Sequence, residues 1–492
     1  MFNKMDLARR LKEGSIRLTL PIIEQRIWSD ATRGLVMKEL NKFIIGQINT
    51  SDSRRPARVW QDKIDMARAL LASIHRALDR KQFSRRALHG LLMSLLANNV
   101  TSLQSEEVRT AMQRFAQRHG GQAPPLLMVI SPTSACNLRC SGCYASSGPT
   151  GEGLQWEVFD RIITEAKLLW GMRFFTISGG EPLAYRSQGR DLLDMAAKHH
   201  DCAFLVYTNG TLIDDRAATR MAEVGNVSPG ISVEGLKART DERRGPGVFQ
   251  RLLAAMARLR QAGVPFGISV TATRYNAEEI FSDAFIDFFF DEQQAIFGWL
   301  FQYMPIGRGY TLDLLPTPEQ RLWMWRRTWQ IIRERQIMLV DFWNCATVSQ
   351  GCIAAGQDRG YLYVDWDGKV MPCVFVPYAA ANIHSIYARG GSLDDVYDLP
   401  YFRAIRQWQL DYGLGKERPA EHGNWLLPCS LRDHYAMGRG LIEKYHPEPE
   451  DKAAAEALED RHLYEGMVRY DEELHRLFEP VWEKEYLKNR EP

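Results

Sequence analysis

The sequence predicts an α/β protein: a partial (β/α)6 barrel with a helical domain before it and a cysteine-bearing domain after it. Three observations carry this expectation. From 126 to 304, short apolar runs alternate with amphipathic stretches. From 1 to 120, apolar residues recur at helical spacing, with no convincing run of alternating strands. From 341 to 435, the chain is rich in loop signals and holds four cysteines. Repeated strand–helix units imply a parallel sheet whose ligands bind at the C-terminal ends of the strands.

In the first domain, 1–122, helical spacing is set by Ile22, Ile23, Ile27, Val36, Leu40, Ile44 and Ile45, with Trp28 among basic residues. The stretch 87–99 is almost wholly apolar. Gly120, Gly121, Pro124 and Pro125 then punctuate the chain. The barrel is expected over 123–315. Its candidate strands are 126–130, 174–178, 203–208, 227–233, 266–272 and 297–304, with helices such as 157–170 and 248–262 between them. Six units are too few to close an eight-stranded barrel. A third domain, 316–435, opens on a Trp- and Arg-rich helix over 321–335. The tail, 436–492, reads as helical and acidic.

The 492 residues are 45% hydrophobic and 25% charged, as in a globular protein. No run of about 18 apolar residues marks a transmembrane helix, and the N-terminus lacks the apolar stretch of a secretory signal. A cytoplasmic location is expected. Eight cysteines in a large unsignalled chain point to metal binding rather than disulfides. The net charge of +2 hides an asymmetry: residues 1–120 carry 22 Lys and Arg against 11 Asp and Glu, and residues 441–492 carry 8 against 15. A basic end fits an anionic partner such as phospholipid, nucleic acid or an acidic segment. The plain alternative is two solvated helical faces of opposite sign.

Cys136-Asn-Leu-Arg-Cys140-Ser-Gly-Cys143-Tyr144 follows the first strand. Three thiolates at this spacing suit a 4Fe–4S cube and leave one iron open to a small molecule. Zinc sites usually pair CxxC units and supply a fourth ligand nearby, and none is evident here. Ser178-Gly179-Gly180-Glu181-Pro182 ends the second strand, Thr208-Asn209-Gly210 the third, and Ser232, Glu234 and Gly235 the fourth. From 126 to 304 this set resembles the radical S-adenosylmethionine superfamily. The resemblance implies that the cysteines hold the catalytic cluster and that the GGEP segment binds the amino group of the cofactor's methionine. Glycines let backbone carbonyls approach, and Glu181 offers charge to an ammonium. It also implies ribose and methionine contacts from Ser232 and Glu234, where relatives more often carry Asp. Arg244 is similar to an arginine near the cofactor carboxylate, with Arg243 competing, and Tyr144 to an aromatic near adenine. The mechanism implied is reductive cleavage of S-adenosylmethionine to a 5′-deoxyadenosyl radical that abstracts hydrogen from an unactivated C–H bond. An electron donor such as flavodoxin or ferredoxin follows from that chemistry.

Cys345, Cys352, Cys373 and Cys429 form a second group. Asp367-Gly368 signals a hairpin just before Cys373. This order is similar to the auxiliary-cluster module called SPASM or Twitch and implies one auxiliary 4Fe–4S cluster. Zinc, or a cluster held by three of the four, remains open.

For substrate, the first expectation is a lipid or acyl chain at an anionic membrane surface, placing the enzyme peripherally on the inner face. The basic, Trp-containing N-terminus and the apolar stretch 91–96 motivate it, and the layout is similar to bacterial radical enzymes that alter lipid tails. The alternative is a maturase modifying a ribosomal peptide or protein side chain. A non-enzymatic iron–sulfur scaffold or redox protein would not need GGEP. Tyr303, in the sixth strand, is a candidate hydrogen or proton donor. No nucleic-acid partner is expected, and the oligomeric state is left open.

Overall fold

The described residues of the first part of the chain are mainly helical, as its periodicity predicts. The computed structural model describes residues 16–48, 50–93 and 105–488. It places α1 (Ile16–Trp28), α2 (Asp30–Gly46), α3 (Ala57–Asp79), α4 (Arg85–Leu92) and α5 (Glu106–Arg118) ahead of the sheet. Ile23, Ile27, Val36 and Leu40 are buried together with Leu71, Ile74 and Leu78 of α3. Ser84 and Ser105 cap α4 and α5, each accepting from the backbone N–H three residues on. Of the apolar stretch 87–99, residues 94–99 lie outside the described residues.

The predicted strands are present as β1 (Leu127–Ile130), β2 (Phe174–Ile177), β3 (Ala203–Thr208), β4 (Val227–Val233), β5 (Gly267–Ala272) and β6 (Phe297–Gln302). Each pairs in parallel with the next, which makes the expected partial barrel. The sheet does not stop at 315. β7 (Met338–Asp341) adds in parallel to β6, and β8 (Tyr361–Val364) adds in parallel to β1 at the other edge. β9 (Lys369–Met371) and β10 (Ala381–Asn382) continue outward from β8 in antiparallel pairing. The Asp367-Gly368 hairpin is the β8–β9 turn. Residues after 315 thus supply both flanks of the barrel. The Asp367-Gly368 signal marks the β8–β9 hairpin, whereas β7, four residues long, gives too short a period-two signal to be found.

The N- and C-terminal parts are tied to the barrel by buried polar groups. Asp62 of α3 is 0% exposed. It accepts from Thr347 Oγ1 and Tyr486 OH, both at 2.8 Å, and from Arg333 Nη2 at 2.8 Å. Basic residues of the N-terminal region also turn inward. Arg76 donates to Gln336 O at 2.7 Å, Arg80 to Phe290 O at 2.9 Å, and Arg55 to Leu414 O at 2.8 Å. Part of the positive surplus therefore clamps the helices to the rest of the chain. Among the described residues, no helix is long and apolar enough to cross a membrane.

Candidate active site

Cys136, Cys140 and Cys143 sit on the loop after β1, half-buried, and all three line one cavity of about 250 Å3. The cavity runs over the sheet face shared by Val129, Thr176, Tyr207, Ser232, Thr271 and Phe301. Polar side chains fix the loop. Leu138 N–H points at Cys136 Sγ at 3.4 Å, and Asn209 Nδ2 lies 3.7 Å from the same sulfur and 2.8 Å from Asn137 Oδ1. Arg308 donates to the carbonyls of Cys140 and Ser146 at 2.9 Å, and Arg243 to those of Ser141 at 3.1 Å and Gly142 at 3.2 Å. Burial pushes the Cys136 thiol up to about 11 and raises that of Cys140. A cationic metal core reverses that preference, because thiolate ligation outweighs the cost of burial. Three converging thiols, an N–H directed at sulfur and two neighbouring arginines fit a 4Fe–4S cube. Among the described residues, no three His, Cys, Asp or Glu side chains are disposed to share a single metal ion; a cube takes each thiolate on a separate iron.

The GGEP segment docks on the approach to Cys136. Gly180 N donates to Thr133 O, and Glu181 N to Ala135 O, both at 2.8 Å. Gly179 has φ +113°, and a Cβ on Gly180 would lie 2.2 Å from Ala135 O. The glycines are therefore required by the cysteine loop itself, whatever ligand the segment meets. Tyr144 OH bonds Ser178 Oγ at 2.5 Å and accepts from Gly179 N at 3.1 Å, which locks the loop's last residue to the end of β2.

Two acids behave differently from expectation. Glu181 does not present its carboxylate to the cavity. It is 0% exposed and accepts from Thr208 Oγ1 at 2.6 Å, Asn209 N at 2.7 Å and Leu183 N at 3.0 Å. A carboxylate taken out of water needs such donors, and here they are the ends of β2 and β3. Burial holds its pKa above the usual range despite them. Pro182 is likewise buried, opening the short turn after it. Glu234 is 1% exposed and faces two guanidinium groups rather than open space: Arg243 Nη1 at 2.5 Å, and Arg244 through Nε at 3.0 Å and Nη2. Its role is to hold both arginines, which themselves line the cavity.

The remaining predicted residues converge on the cavity wall: Tyr144, Ser178, Gly179, Gly180, Thr208, Asn209, Ser232, Arg244 and Tyr303. Ser232 Oγ bonds Ser269 Oγ at 3.1 Å. Tyr303 is 2% exposed, and its hydroxyl accepts from Thr311 N at 3.3 Å.

The second cysteine group divides. Cys352 lies near enough to act electrostatically on both Cys373 and Cys429, and Cys429 acts on Cys373. Phe375 N–H points at Cys373 Sγ at 3.4 Å, and Tyr361 OH lies 2.8 Å from it. Burial pushes the Cys429 thiol up to about 12. Cys345 differs in its surroundings from the other three. It is buried at the start of the short helix Ala346–Ser349, its thiol 3.8 Å from Leu339 O, and the charges acting on it are Asp341 and Asp62. Tyr361 and Phe375 also line the main cavity, so the two cysteine sites share a wall.

Sequence reasoning placed Arg308 after the sixth strand, toward the barrel mouth, without a role, and gave Arg243 only a competing one. It also missed the aromatic wall of Trp299, Phe342, Tyr361 and Phe375. Trp299 and Phe301 alternate on β6, a period-two signal that placed them on one face; Phe342 and Phe375 come from loops and carried none.

Residues 130–283 match the profile of the Radical SAM superfamily. The AdoMet-dependent heme synthase of Methanosarcina barkeri is 29% identical over 353 residues, covering 65% of this chain and 95% of that protein. The mycofactocin maturase MftC of Mycobacterium ulcerans is 30% identical over 314 residues, covering 61% of this chain and 82% of that protein. The solved structure of Streptococcus suis SuiB bound to precursor peptide SuiA aligns with a TM-score of 0.49 at 19% identity, covering 70% of this chain and 83% of that one.

Proposed function

This chain belongs to the radical SAM superfamily, and on that premise we propose that it is a maturase acting on a peptide or protein side chain. The observation that supports the radical chemistry is one cavity lined by all three loop cysteines together with Gly179, Gly180, Asn209 and Ser232. When bound, the 4Fe–4S cluster supplies the electron that divides S-adenosylmethionine into methionine and a 5′-deoxyadenosyl radical, which takes hydrogen from a substrate C–H bond. Cys136, Cys140 and Cys143 hold that cluster. Ser178, Thr208, Asn209, Ser232 and Arg244 offer polar groups to the cofactor, and Glu181 and Glu234 position them from behind. The aromatic wall excludes water from the radical. Cys352, Cys373 and Cys429 would hold an auxiliary cluster, with Tyr361 OH beside Cys373. A flavodoxin- or ferredoxin-like protein donates the electrons.

Similarity to a maturase over most of that protein's length supports the peptide alternative over the lipid expectation. The lipid expectation rested on N-terminal charge, part of which clamps the helices to the barrel, and on the stretch 91–96, of which 94–96 lie outside the described residues. The test is anaerobic incubation of reconstituted enzyme with S-adenosylmethionine, dithionite and short peptides encoded beside its gene. One peptide should raise 5′-deoxyadenosine above the substrate-free rate and change mass itself. Stimulation by anionic liposomes and by none of the peptides would overturn the reading.

A further inference from the structure

Beside Cys429 lies a pair of arginines that water does not reach. Arg321 and Arg432 are both 0% exposed and share one carboxylate, that of Asp433. Arg321 Nη1 donates to Asp433 Oδ1 at 2.6 Å, and Arg432 Nε to the same oxygen at 3.0 Å. The second oxygen of Asp433 accepts the backbone N–H of Cys429 at 2.9 Å. Arg432 also donates to Gln302 Oε1 at 2.7 Å and lies over the Trp343 ring at 4.3 Å. Its Nη2 is buried with no hydrogen-bond partner. Asp341, reached through Gln302 Nε2 at 2.9 Å, is occupied by the N–H groups of Trp343 and Asn344. Asp433 is shared by both guanidinium groups and Asp341 is reached from Arg432 only through Gln302, so Arg432 Nη2 is a buried cationic donor without a partner, and such a donor is costly unless an anion faces it. Trp343, beneath Arg432, belongs to the same apolar cluster as Phe375 and Cys429. The charge is therefore set against the second cysteine site.

We infer that Arg432 is the buried counter-charge of the auxiliary cluster and sets its reduction potential. The inference rests on the reading that Cys352, Cys373 and Cys429 hold such a cluster. An iron–sulfur cube bound by thiolates is a net anion, and reduction makes it more negative; a neighbouring cation favours the reduced form. Arg432 acts through charge and position, and Gln302, which lines the main cavity, links it to the substrate side.

The experiment is a potentiometric titration followed by electron paramagnetic resonance. It uses the full chain carrying Cys140→Ala, so that only the auxiliary cluster contributes. Arg432→Met should move the midpoint to more negative potential at unchanged iron content. Arg432→Lys should hold it near that of the parent. Arg432→Gln, which keeps two donors but no charge, serves if the methionine variant fails to fold, and should also shift negative. An unchanged midpoint in the uncharged variants at full iron overturns the inference. A parent that binds no iron overturns the auxiliary-cluster reading instead.

Discussion

Replacing Cys140 by alanine is expected to abolish 5′-deoxyadenosine formation and to remove about half of the bound iron. The loop offers three sulfurs, and the nearby acids Glu181 and Glu234 are already engaged by Thr208, Asn209, Arg243 and Arg244 rather than free to replace one. Arg308 and Arg243 hold the loop through backbone carbonyls, including that of Cys140 itself. Those bonds do not involve the thiol, so the loop should keep its course when the sulfur is lost. The variant should therefore fold, retain the auxiliary cluster and lose the catalytic one. Iron and product assays on the same anaerobic preparation check this. Continued 5′-deoxyadenosine formation would remove Cys140 from the cluster.

Glu234→Ala should destabilise the chain by about 3–5 kcal/mol, the range for breaking a buried ion pair by removing one partner. The magnitude follows from geometry. The Glu234 side chain is 2% exposed, and its partners Arg243 and Arg244 are 18% and 14% exposed. Removing the carboxylate leaves two guanidinium groups, largely out of water, without an anion. Arg243 would also lose the anchor that keeps its other donors on Ser141 and Gly142, so the apparent affinity for S-adenosylmethionine should fall. Glu234→Asp keeps the charge at shorter reach and should recover part of the stability. Anaerobic urea unfolding measures the first effect; a loss below about 1 kcal/mol would mean that the arginines find other partners.

The contiguous parts of this site were legible in the sequence, and the parts made by long-range contact were not. Cys136, Cys140, Cys143 and the GGEP segment each sit within a few residues of a strand end, where motif and strand pattern reinforce each other. Arg308 reaches Cys140 of the cysteine loop across 168 residues of chain, and spacing holds no trace of that contact. Cys345 and Cys352 look equivalent as letters. They differ because the chain turns Cys345 into the core beside Leu339. Glu181 and Glu234 were read as acids for a ligand; the fold uses both as acceptors for its own donors, since burial leaves a carboxylate no cheaper arrangement. The same holds for the basic N-terminus. Its composition announced a charged surface, whereas Arg55, Arg76 and Arg80 find carbonyl partners in the barrel and C-terminal region.

On the proposed reading, the cavity beside Cys136, Cys140 and Cys143 performs reductive cleavage of S-adenosylmethionine. The most direct measurement is product analysis of the wild-type chain, reconstituted anaerobically with iron and sulfide and reduced with dithionite. 5′-Deoxyadenosine and methionine are expected in equal amounts, formed only when reductant and S-adenosylmethionine are both present. A chain with its loop cluster assembled and reduced that still left S-adenosylmethionine intact would contradict that reading.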